Sequence, residues 1–309
     1  MNGKILTILV AVVVVGSAIF MVADELMGPE GEFKVVDDRG VAYYFDNPPE
    51  RIATLGKPFT QLFYDMGAQD KIVAVDSYSL DYVEQYPELE DLSIKSSIFS
   101  PDMESLIMKS PELIITYNYP SVKSKIEELE KHVCPVLAFY PPGYVEVMDM
   151  ITKLGIVAGK TEAAGEIYDR MNDAKEVAFS RFSHLTEEQK PGVYFELASM
   201  GGSAVNIGSI GHSLIVLAGG INVAENSELG ATYLIREKDQ IMIWGPQIII
   251  VEYSHELSDQ DVEDEYTYST QNPIIYRFSH GFNTYNQDLI LGLQEMSDLV
   301  QRYIDENQL

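Results

Sequence analysis

Cysteine occurs once, at Cys134, which excludes an internal disulfide framework and any cysteine-rich zinc or iron–sulfur site. Histidine is scarce. His132, His184, His212, His255 and His280 are scattered, and none pair at i, i+4 spacing. Positive charge is also short, with 21 Lys+Arg against 48 Asp+Glu for a net charge of −27. Such a chain repels phosphate backbones, so nucleic acid is not an expected partner. Enzyme signatures are missing too. No G-x-S-x-G elbow occurs, and Gly208-Ser209-Ile210-Gly211-His212 has the wrong order. No G-x-G-x-x-G follows a strand. Gly155-Ile156-Val157-Ala158-Gly159-Lys160-Thr161 is one residue short of a phosphate loop and lies between helices, so it reads as a helix break. No enzyme is expected, no intrinsic cofactor, and no metal site of the protein's own. What is present is an ordinary globular balance, 46% apolar and 22% charged over 309 residues, enough for two compact units.

The first segment bears on the compartment. Residues 5–23 are apolar except for Thr7, Gly16 and Ser17, with Lys4 before them and Asp24, Glu25, Glu30 and Glu32 after. A bilayer core takes about 17–25 apolar residues, so this run can span it. It is long for a cleaved signal, and Met21-Val22-Ala23 is a poor cleavage pattern, but both readings stay open: an uncleaved anchor or a removed signal. The charge step places the body outside the cytoplasm. Residues 1–31 are therefore expected to be a membrane anchor or signal with its tether.

Beyond the tether, 32–36 and 41–45 alternate as strands around the turn Asp37-Asp38-Arg39-Gly40. Strands are then expected at 51–55, 72–75, 112–117 and 134–140, with helices at 60–66, 81–92, 121–132 and from Ser100, as N-cap, to about Lys109. Such alternation implies a parallel sheet covered by helices. Residues 144–157 are helical. Residues 162–184 form a long polar helix of roughly 33 Å at 1.5 Å per residue, a reach sufficient to join two domains. A second alternation follows: strands at 192–197, 247–252 and 274–278, and helices at 213–217, 237–244 and 286–304. Residues 254–270 read as an acidic loop, with 259–265 as a solvated insertion. The expected fold is α/β: two Rossmann-like lobes with mainly parallel sheets joined by one long helix. The expected domains are 32–143, a helical linker region at 144–188, and 189–309.

Several blocks carry a resemblance. Asp37-Asp38-Arg39-Gly40 is followed by Asn47-Pro48-Pro49-Glu50-Arg51-Ile52 and by Met66-Gly67-Ala68. Then come Asp102-Met103-Glu104-Ser105-Leu106, Lys109-Ser110-Pro111-Glu112-Leu113-Ile114-Ile115, Leu214 to Ala224 around Gly219-Gly220-Ile221-Asn222, and Pro246 to Val251. In this order and spacing the chain resembles the solute-binding proteins of ABC importers for ferric siderophores, haem and cobalamin, from about Phe33 to Tyr303. The resemblance implies a monomeric receptor whose long interlobe helix is 162–184. It implies one acid on each lobe that docks on arginines of a permease served by a separate ATPase. By matching blocks those acids are Glu104 and Asp239, the latter in place of the commoner Glu.

In open α/β sheets, ligands sit outside the carboxyl ends of the strands. The residues there are Lys57, Phe59, Tyr78, Tyr117 and Tyr119 in the first lobe. In the second they are Glu196, Met200, Tyr253, His255, His280, Phe282 and Tyr285. Aromatics offered by both lobes suit a large, flat, part-apolar ligand, an iron or cobalt chelate. Few cations stand near, which favours cobalamin or another corrinoid over an anionic ferric siderophore or haem. The alternative class is a membrane-tethered ligand-sensing ectodomain.

Overall fold

Phe33–Val36 (β1) and Ala42–Phe45 (β2) pair antiparallel, with Gly40 supplying the positive φ of the turn between them. They open a computed structural model that describes residues 33–197, 202–234, 239–252, 260, 266, 273–278 and 284–308. The apolar run 5–23 lies outside the described residues. Among the described residues no helix is long and apolar enough to cross a membrane. The chain divides into two compact units, 1–140 with 153–161, and 141–152 with 162–309.

The first unit is built on Ile52–Leu55 (β3), Ile72–Val75 (β4), Leu113–Tyr117 (β5) and Val136–Phe139 (β6). All four are parallel, in the order β4-β3-β5-β6. Every residue of β3 and β6 is buried, as a sheet covered on both faces requires. One face packs Ala53, Leu55, Ile114 and Val136 against Leu106 of helix Met103–Lys109 and Ile126 and Leu129 of helix Lys123–His132. The hairpin turn is stitched to β6. Asp37 Oδ2 accepts from Ala138 N (3.1 Å), Asp38 N donates to Ala138 O (3.1 Å), and Asp38 Oδ2 accepts from Tyr140 N (2.6 Å). Arg39 Nη2 donates to Val136 O (2.5 Å) and to Glu130 Oε1 (2.9 Å).

Helix α1 runs Lys57–Asp65, three residues earlier than the expected 60, because Pro58 is seated in its first turn. It ends at Gly67, whose φ of 67° is the expected C-terminal cap. The helix expected over 81–92 does not form as one element. Pro87 interrupts it, and Asp76 instead caps a 3-10 turn over Ser77–Tyr82 by accepting from Ser79 N; only Leu89–Leu92 (α2) is α-helical. Helix Met103–Lys109 (α3) is capped by Asp102, which accepts from Ser105 N (3.1 Å), rather than by Ser100. Helix Lys123–His132 is α4.

Tyr144–Ala158 (α5) is divided between the units at Thr152, and Thr161–Phe182 (α6) is the long helix expected from the sequence. In the second unit, Gly192–Leu197 (β7), Ile248–Glu252 (β11) and Ile274–Phe278 (β12) are parallel. Three short strands not read from the sequence extend this sheet: Ser203–Val205 (β8), Ile221–Asn222 (β9) and Thr232–Leu234 (β10). β8 and β10 run antiparallel, giving the order β10-β8-β7-β11-β12, with β9 parallel to the start of β7. Ile210–Leu217 (α7) packs on Phe195, Asp239–Trp244 (α8) buries Ile241 under Tyr194 and Ile249, and Leu289–Asn307 (α9) ends the described chain.

Candidate functional site

In the first unit the chain goes from β3 outward to β4 and then returns to the other side of β3 as β5. The carboxyl ends of β3 and β5 are thus the place where strand order reverses, the position where open α/β sheets hold ligands. Gly56 follows β3 and Tyr117 ends β5. A Cβ on Gly56 would lie 2.7 Å from Phe59 Cδ2 and 2.8 Å from Tyr117 Cε2, so glycine is what lets these rings close over the strand end.

From there an aromatic row runs outward. Phe59 lies 5.1 Å from Tyr117 between ring centroids. Tyr117 stacks on Tyr119 at 4.9 Å and 20°. Tyr119 stacks in turn on Phe99 at 6.2 Å and 10°, and meets Tyr140 edge-on at 5.3 Å. The row grades from core to surface: Phe59 is fully buried, Tyr117 and Tyr119 are half-buried, and Phe99 is half exposed. Phe59, expected to face ligand from a loop, belongs instead to the first turn of α1 and packs inward against Tyr117 and Phe139. Tyr78 is exposed. Phe99 and Tyr140 were not among the expected contacts. Tyr140 could have been found, since it directly follows a strand end; Phe99 sits in an aperiodic stretch with no such signal.

The electrostatics of this edge are acidic and polar. Lys57 is committed, its Nζ 2.8 Å from Asp81 Oδ2 and 4.8 Å above the Tyr82 ring. Beneath lies a buried hydroxyl chain: Thr54 Oγ1 to Thr60 Oγ1 (2.7 Å), Thr60 Oγ1 to Ser79 Oγ (2.8 Å), and Ser79 Oγ donating to Asp76 Oδ1 (2.7 Å). Asp76 Oδ2 is buried without a hydrogen-bond partner. Burial pushes the Asp76 carboxyl up to about 6, against the pull of its bonds from Ser79. Burial, then Tyr119 and Asp76, hold the Tyr117 hydroxyl far above the ordinary tyrosine range, so it stays neutral.

A prediction follows for Asp76. Its folded pKa lies above the unfolded value near 3.9, so its contribution is full below about pH 4 and is lost as pH rises through about 6. The stability of the wild type minus that of Asp76→Asn should fall by roughly 2 kcal/mol between about pH 4.5 and 7.5. Any constant cost of the amide cancels in that difference. Urea unfolding at the two pH values measures it, and a flat difference would mean that Asp76 is ionised throughout.

In the second unit the loops after β7, β11 and β12 carry Met200, Tyr253, His255, His280 and Phe282, which lie outside the described residues, as does most of the loop 259–265. Glu196 is described and buried. Its Oε2 accepts from Tyr194 Oη and Tyr266 Oη, both at 2.7 Å. Burial and the neighbouring Glu196 raise the Tyr194 pKa. Tyr285 is buried four residues before α9 begins. Glu104 on α3 and Asp239 on α8 are both exposed. The described residues hold no group of three or more His, Cys, Asp or Glu side chains set to bind a metal ion.

Residues 52–272 match the family described as periplasmic binding protein. A vitamin B12-binding protein of Yersinia pestis is 24% identical over 251 residues, covering 80% of this chain and 85% of its own. The solved periplasmic vitamin B12 binding protein BtuF of Vibrio cholerae superposes with a TM-score of 0.69 at 18% identity, covering 83% of this chain and 98% of that one. A structure from an ABC-type Fe3+-hydroxamate transport system of Saccharomonospora viridis gives 0.64 at 15% identity, over 86% and 98% of the two chains.

Proposed function

We propose, because the chain belongs to the periplasmic binding protein family, that it is the extracytoplasmic substrate-binding component of an ABC importer. Its cargo is an iron or cobalt chelate, with a corrinoid favoured and ferric siderophore or haem next. The observation that carries this reading is the aromatic row at the carboxyl ends of β3 and β5. A row of rings, tilted at Phe59 and stacked from Tyr117 through Tyr119 to Phe99, grades from buried to exposed and offers an apolar wall to a macrocycle. The preference for a corrinoid rests on charge. Lys57 is already paired with Asp81, and Asp76 lies below, so this wall has little to offer an anionic chelate. The relative in Yersinia pestis, a vitamin B12-binding protein, agrees with that preference.

On this reading Lys57, Tyr78, Tyr117 and Tyr119 contact the chelate from the first unit, with Phe59 fixing Tyr117 from behind. Glu196, Met200, Tyr253, His255, His280, Phe282 and Tyr285 are the candidates of the second. Glu104 and Asp239 dock the loaded receptor on the permease, and a separate ATPase supplies the energy. Residues 5–23 anchor the chain in the membrane or direct its export, and the body lies outside the cytoplasm.

Calorimetric titration of the full chain in detergent with cobalamin tests the reading. Sub-micromolar one-to-one binding is the expected result. Silence toward cobalamin with binding of a ferric siderophore or haem would move the cargo within the class. Failure with all three would overturn the chelate receptor.

A further inference from the structure

Among the exposed large apolar side chains of the described residues, two exceed all others: Met108 at 78% and Ile243 at 76% of full exposure. Scattered exposed hydrophobics are ordinary. The placement of these two is not scattered. Met108 stands four residues after Glu104 on α3, and Ile243 stands four residues after Asp239 on α8. Residues at i and i+4 are neighbours on a helix surface, so each helix presents one carboxylate with one bare apolar side chain beside it. Ile107, itself 51% exposed, widens the apolar part on α3. Both helices are held by their opposite faces, α3 through buried Leu106 and α8 through buried Ile241. Among the described residues neither Glu104 nor Asp239 has a hydrogen bond or ion pair from its side chain.

We propose that Met108 and Ile243 are apolar anchors of permease docking, each seating in a socket beside the basic residue that pairs with Glu104 or Asp239. The inference rests on the importer reading above and adds to it a second, salt-insensitive half of each contact. Charge selects the occupant. Two unpaired acids call for a basic partner surface, and a second copy of this chain brings a net charge of −27 of its own. An apolar centre with a charged flank is the composition of specific protein interfaces.

The test uses the full chain and the permease–ATPase pairs of its own genome, each reconstituted in lipid nanodiscs, with affinity read by surface-based binding at low and high salt. Met108→Ser and Ile243→Ser should each weaken docking about tenfold, to the same extent at both salt concentrations. Glu104→Gln and Asp239→Asn should weaken it mainly at low salt and flatten the salt dependence. Cobalamin titration of the serine variants should match wild type, locating the loss in docking. Serine variants that dock as tightly as wild type, while the amide variants weaken, would overturn the anchors and leave the importer reading standing. A wild-type chain that binds chelate but docks on none of the permeases would overturn both. Self-association of the wild type, abolished by the serine substitutions, would assign the anchors to a second copy and sink the proposal.

Discussion

Replacing Asp37 with alanine is expected to cost about 3–5 kcal/mol of stability, the loss seen when one partner of a buried, hydrogen-bonded charge pair is removed. The carboxylate is buried and accepts four hydrogen bonds. Oδ1 receives Arg39 N at 2.9 Å and Val41 N at 3.1 Å; Oδ2 receives Arg39 Nε at 2.7 Å and Ala138 N at 3.1 Å. Deletion leaves the Ala138 amide buried without a partner and removes the more buried of the two counter-charges of the guanidinium. That guanidinium also holds Tyr43 Oη (2.8 Å) and Glu130. The hairpin would then keep only its bonds through Asp38 and Arg39 to β6. Asp70→Ala, at an exposed position, serves as the control and should move stability by no more than about 0.5 kcal/mol. Denaturant unfolding of both variants gives the comparison. A loss below about 1 kcal/mol at Asp37 would mean that the hairpin and the sheet are energetically separate.

The second large effect concerns the chelate. Tyr119→Ala should weaken binding of the cargo about 30-fold or more, as truncation of an aromatic hot spot does. Tyr119 is the middle ring of the row, stacked on Tyr117 and Phe99 and met edge-on by Tyr140, so its removal divides the wall in two. Because it is only half-buried, the variant should still fold. Tyr119→Phe keeps the ring and should bind nearly as wild type. If alanine and phenylalanine variants bind alike, the row is packing and the cargo lies elsewhere. Tyr78→Ala tests an exposed member of the same edge in the same titration.

Much of the first unit was legible because its physics is local. Runs rich in β-branched residues, such as Ile114-Ile115-Thr116 and Ile72-Val73-Ala74-Val75, have few alternatives to a buried parallel strand. The helix expected over 81–92 failed at Pro87 and at a cap, Asp76 to Ser79, that precedes the span considered. The start of α1 was misplaced for a related reason: Pro58 fits a first turn as well as it fits a loop, and the choice put Phe59 inside rather than at the ligand edge. Phe99 joined the candidate wall through packing on Tyr119, twenty positions away, which no periodicity announces. Glu196 is expected from its place at a strand end to face ligand, whereas in the structure it is buried and accepts from two tyrosines. Its second tyrosine partner, Tyr266, is 70 residues away. β8, β9 and β10, each of two or three residues, were too short to show a period.

The stitching of the hairpin turn to β6 has a further consequence when set beside the other margin of the same sheet. On β6 the Val136 carbonyl, both backbone groups of Ala138 and the Tyr140 amide are taken by Asp37, Asp38 and Arg39. On β4, Val75 O accepts from Ile94 N at 3.0 Å, and Ser77 N just beyond donates to Ser96 O at 2.8 Å. Each outermost strand is thus partly covered by other segments of the chain, mainly through side chains on one margin and through backbone on the other. An open margin is a template on which another molecule can lay a strand. These contacts therefore close part of each margin to strand addition between copies of this chain. Loss of Asp37 would reopen part of one margin, so the variant should aggregate on heating at high concentration, while its unfolding in denaturant at low concentration stays reversible.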